Sequence, residues 1–78
     1  LMFEHLQHLA ANGPSWAAQR AQMALEIAGQ YQQGGISADE YRELMLDLVR
    51  ADRLDAEATD LDTKTLLVNA IYAVAQVA

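Results

Sequence analysis

Apolar residues recur along this chain at intervals of three and four, the spacing of helices that bury one face. Near the N-terminus Met2, Phe3, Leu6, Leu9 and Ala10 form a first stripe, which Asn12-Gly13-Pro14 ends. Ser15, or the turn before it, caps a second helix over residues 16–32. Ala17, Ala21, Ala24, Leu25, Ala28 and Tyr31 line its broad apolar face, and Trp16 stands at its start. Gly29 lies inside this helix, where glycine costs about 1 kcal/mol relative to alanine; close packing against a neighbour would explain it. Over residues 38–52, Tyr41, Leu44, Met45, Leu48 and Val49 follow the i, i+3, i+4, i+7, i+8 pattern, with Arg42, Glu43 and Asp47 on the other faces. Leu54, Ala58 and Leu61 continue the spacing through a polar connection, with a break or kink expected near Asp55. Thr59 and Asp62 have the spacing of a weak capping box ahead of a last helix over residues 61–78. That helix is apolar nearly all round, from Leu66, Leu67 and Val68 to Ala70, Ile71, Val74 and Val77. Such a helix must be covered on several sides. So short a chain is expected to leave part of it bare.

The best specified local feature is Gly34-Gly35-Ile36-Ser37-Ala38-Asp39-Glu40-Tyr41. Two glycines can adopt the left-handed conformation that closes a helix. Ser37 and Glu40 then have the spacing of a capping box, and Ile36 and Tyr41 that of a hydrophobic staple. Three local rules agree on a helical hairpin.

Length sharpens the picture. A single domain of 78 residues buries roughly 60% of the surface its unfolded chain exposes. Such domains often add disulfides, a metal or a partner subunit. Without cysteine neither a disulfide nor a thiolate metal site is open to it, and a reducing compartment is the natural setting. The composition, 53% hydrophobic and only 6% aromatic, suits helices rather than sheets. Eleven acids against five bases leave a net charge of -6. That argues against direct binding of nucleic-acid phosphates and fits a partner that is basic. No apolar run reaches the roughly 18–20 residues of a membrane span, and the N-terminus lacks the basic region of a secretory signal. A cytoplasmic protein is expected. Beginning at Leu1, the chain reads as a fragment or processed product. The Asn12-Gly13-Pro14 turn is its one soft boundary, where residues 1–12 could move or exchange.

Few residues suggest bond-making chemistry. His5 and His8, three apart, could share a metal, but Glu4 is the only acid near them. Asp60, Asp62 and Thr63 hint at a calcium loop, yet its central glycine and terminal glutamate are missing, and helix capping accounts for them. Nine of the eleven acids fall between Asp39 and Asp62. Asp39, Glu43 and Asp47 among them make an acidic docking face for a basic partner, or a DNA-like surface. Trp16 and Tyr31 are either core residues or anchors of an interface, where aromatic residues dominate. There is no phosphate-binding glycine loop and no nucleophile elbow, so no catalysis and no cofactor is expected.

The stretch from about residue 25 to residue 49 resembles the short helical-hairpin family called SHOCT. That family runs apolar helix, glycine, Ile-[Ser/Thr]-x-x-Glu-[Phe/Tyr], second amphipathic helix. Leu25, Ala28, Tyr31, Gly34 or Gly35, Ile36, Ser37, Glu40, Tyr41 and Leu48 carry the match. The chain departs from the pattern at Leu44 and Met45, near which the family places a lysine. The resemblance implies a non-catalytic oligomerisation or docking role. Size, acidity and helical build also resemble small accessory or assembly proteins of tailed phages, a likeness that implies a host cytoplasm as the setting. The expectation is thus an all-α bundle of three or four helices around a central hairpin. It would act by protein interaction, with Leu67, Ile71, Val74, Val77 and Trp16 at the contact with a second copy or another protein. An acidic inhibitor of a nucleic-acid-processing enzyme is the alternative.

Overall fold

The computed structural model describes residues 3–76. Met2 of the first stripe and Val77 of the expected contact lie outside the described residues. Among the described residues there are five helices and no strand: α1 (Glu4–Asn12), α2 (Ser15–Gln32), α3 (Ala38–Asp47), α4 (Ala51–Glu57) and α5 (Leu61–Ala75). The architecture is the expected all-α bundle, with one short helix more than the spacing suggested.

The α2–α3 corner forms as its residues dictate. Gly34 has φ +79°. Its N–H donates to the Tyr31 carbonyl at 3.0 Å, and that of Gly35 to Gln30 at 2.8 Å. This is the Schellman pairing that satisfies the last carbonyls of a helix. Ser37 Oγ then accepts from the Glu40 N–H at 3.1 Å, while Glu40 Oε1 accepts from the Ser37 N–H at 3.0 Å. At the other turn, Pro14 rather than Ser15 is the N-cap of α2, and no side chain caps it.

The second half of the chain departs from the expected boundaries. α3 stops at Asp47, not near residue 52. Leu48, Val49 and Arg50 donate instead to Met45, Leu46 and Asp47, three residues back, which tightens the last turn. Asp55, where a break was expected, lies inside α4. The second break falls at residues 58–60, and Asp60, not Thr59, caps α5: its Oδ2 accepts from the Thr63 N–H at 2.8 Å. A carboxylate there suits the positive end of the helix.

The core forms around α5. The alanine face of α2 (Ala17, Ala21, Ala24 and Ala28) is buried, and side chains this small admit neighbours closely. α1 packs on α2 and α5, α3 packs on α2 and α5, and α2 also meets α5. Leu67, Ile71 and Val74 are therefore wholly buried within one chain, along with Leu6, Tyr41, Met45 and Leu54. This corrects the expectation that they face a second copy. The three helices packed on α5 cover its Leu67, Ile71 and Val74 face, with Leu6 and Leu9 of α1 buried in the same core, while Leu61 and Tyr72 stay exposed on its other side. Burying each such aliphatic side chain contributes roughly 1.5–3 kcal/mol. Trp16, the fifth of the expected contact residues, is also interior, at 8% exposed.

Candidate docking surface

Among the exposed surfaces, the outer face of α3 joins an apolar side chain to a row of acids. One turn apart, Glu40, Glu43, Leu44 and Asp47 line a shallow groove of about 320 Å³. Leu44 is exposed in it, so an apolar side chain stands among three carboxylates. Asp39, Glu43 and Asp47 follow one another at i, i+4 and i+8, about 6 Å per step along the axis. Their charges are not equally free. Asp39 is ion-paired with Arg42. Asp47 lies 3.7 Å from Arg50 and 3.8 Å from Arg53. The line is thus less uniform than a row of phosphates. Ser37 sets the helix start as expected, and Glu40 caps it while keeping its carboxylate on the groove.

Asp47 also borders a second cleft of about 450 Å³, shared with Gln19, Arg20, Met23, Leu48, Arg53 and Glu57. Among the described residues Arg20 is the buried charged side chain, and its geometry accounts for that. Nε donates to the Leu48 carbonyl at 3.1 Å and Nη1 to the Trp16 carbonyl at 3.2 Å. Nη1 and Nη2 reach Glu57 at 3.4 and 2.8 Å. A buried guanidinium needs such a full set of acceptors. The hydrogen bond and charge of Arg20 hold the Glu57 carboxyl below its usual range, with a smaller contribution from Arg53. One turn before Arg20, the Trp16 indole N–H donates to Thr59 Oγ1 at 3.3 Å. The sequence contained a signal for this network. Arg20 sits within the Trp16, Ala17, Ala21, Ala24 stripe, where a cation has to find partners.

The remaining candidates separate. His5 and His8 are exposed on α1. Asn12 lies one turn beyond His8, its amide within 3.4 Å of the His8 carbonyl. Among the described residues no three histidine or acidic side chains are grouped to hold a metal. Asp60 is spent on its cap, and the Thr63 side-chain hydrogen bond leads the causes that lower its pKa. Tyr31 stacks on Tyr41 with centroids 4.6 Å apart. The Tyr41 hydroxyl donates to the Val74 carbonyl at 2.7 Å, closing the far end of α5; burial, then the Tyr31 charge, raises its pKa. Gly29, expected at a close helix contact, has none: a Cβ there would meet nothing within 4 Å. It lines an open groove between α1 and α2 with Phe3, Gln7 and Leu25.

No family model, curated protein or solved structure matches the chain. Among the described residues no helix is long and apolar enough to cross a membrane.

Proposed function

We propose that this protein is a non-catalytic docking module whose α3 face receives a basic, amphipathic segment of another protein. The observation that carries this is Leu44, exposed between Glu40, Glu43 and Asp47 in one groove. An apolar residue of a partner would pack on Leu44 while flanking lysines or arginines meet the carboxylates. The acids would speed encounter and the apolar contact would set the lifetime. The resemblance of residues 25–49 to the SHOCT hairpin, which presents α3, supports the same class of role, and the small size, acidity and all-helical build suggest a phage-type assembly or accessory factor as its setting.

A designed helix with a leucine row flanked by lysines is a suitable probe. It should bind wild-type protein, and both Glu43→Lys and Leu44→Ser should weaken it in titration calorimetry. Binding unchanged by both substitutions would remove this face from the function. The acidic-inhibitor alternative draws on the regular spacing of Asp39, Glu43 and Asp47. It requires binding to a nucleic-acid enzyme that collapses with salt and is insensitive to Leu44→Ser.

A further inference from the structure

We propose that residues 51–60 form a hinged strap, closed over Trp16 and Arg20, whose opening frees Asp47 on the α3 face. α1, α2, α3 and α5 pack helix on helix, whereas α4 makes no comparable helix contact. Non-helical residues flank it at 48–50 and 58–60. Among the described side chains of α4, Leu54 alone is buried, and Asp52, Arg53, Asp55, Ala56 and Glu57 are all exposed. Ala58 packs half-buried on the core, and two polar contacts tie the strap to α2, Arg20 to Glu57 and Trp16 to Thr59. Segments with few buried apolar contacts open locally before a domain unfolds. Lys64 of α5 also pairs with Asp55 in a partly exposed ion pair, a weak tie that opening breaks as well.

Opening has two consequences. It uncovers the indole of Trp16 and the guanidinium of Arg20. It also carries Arg53 away from Asp47, leaving Arg50 as its ion-pair partner. The docking face then gains negative charge. This second consequence rests on the function proposed above; the opening itself does not.

Trp16 is the only tryptophan, so its fluorescence reports on the strap. Two variants loosen it from different sides: Glu57→Ala removes the partner of Arg20, and Thr59→Ala that of Trp16. Glu26→Ala, exposed on α2, matches the charge change of the first. Both strap variants should show red-shifted, more quenchable Trp16 emission at undiminished far-UV helicity, and Glu26→Ala should not. The lysine–leucine helix should bind each strap variant about threefold more tightly than wild type, the scale of one exposed ion pair. It should bind Glu26→Ala no better than wild type. The sign is diagnostic, because Glu57→Ala removes an acid and general attraction alone would weaken binding. Trp16 emission unchanged in both strap variants overturns the strap. Shifted emission with equal or weaker binding overturns its control of α3 alone. Binding by none of the proteins overturns the docking function and that control together.

Discussion

Gly29 and Gly34 are the same residue type under opposite constraints. Gly34 needs its positive φ to close α2, and an L-residue held there is strained by roughly 1–2 kcal/mol. Gly29 is helical with open space where its Cβ would be. Gly34→Ala should therefore lower stability by about 1–2 kcal/mol, while Gly29→Ala should raise it by about 0.5–1 kcal/mol. Urea unfolding followed by circular dichroism distinguishes them, and a loss at Gly29 would mean that a neighbour does approach it. Tyr41→Phe removes only the hydroxyl that satisfies the Val74 carbonyl. Losing one buried hydrogen bond costs about 0.5–1.5 kcal/mol, so this variant should unfold at lower urea with an unchanged slope. The α2–α3 corner was legible at this scale because everything it needs is local: two glycines, a serine and a glutamate three residues later. The Tyr41 hydroxyl bond was not, since its acceptor lies 33 positions away.

At the scale of elements, the boundaries that sequence spacing missed are those set by distant partners. α3 ends where Arg20 of α2 takes the Leu48 carbonyl, and no pattern within residues 38–52 contains that bond. α4 is held by Arg20, and the turn after it by Trp16, in the same way. The acidic face was legible as charges one turn apart, but the pairing of Asp47 depends on where α4 brings Arg53. This half of the molecule should also respond first to acid. Glu57 and Asp60 both have folded pKa values lowered from ordinary values of 4.5 and 3.8. Their contributions are complete above those ordinary values and fade as pH falls through the lowered ones. The charged groups facing Glu57 are Arg20 from α2, Arg53 on α4 itself, and Asp47 from α3 across the cleft. On acidification below about pH 4, Trp16 emission should move before far-UV helicity is lost. Glu57→Gln should flatten that early phase. A single transition seen identically by both probes would show that the strap and the bundle unfold as one.

For the whole molecule, the decisive quantity is how much of α5 the chain covers by itself. The apolarity of residues 66–77 was read correctly from the sequence, but the identity of the cover was not. Whether one short helix at each side suffices is a matter of packing geometry, not of composition. With Leu6 and Leu9 above it, Tyr41 and Met45 beside it and the alanine face of α2 below, α5 has no bare side at Leu67, Ile71 or Val74. The radius of gyration, 11.7 Å, agrees with about 11.5 Å expected for a compact chain of this length. The protein should consequently elute as a monomer near 8.6 kDa in light scattering, at both low and high salt. Ile71→Asp separates the two ways α5 could be used. At an interface between copies it would leave a folded monomer. In a closed core it buries an unpaired carboxylate at a site with no exposure, a cost of several kcal/mol, comparable with the whole stability of so small a domain. The expected result is loss of helicity at neutral pH. A folded, helical Ile71→Asp monomer derived from a wild-type dimer would return the last helix to the role of an oligomer contact.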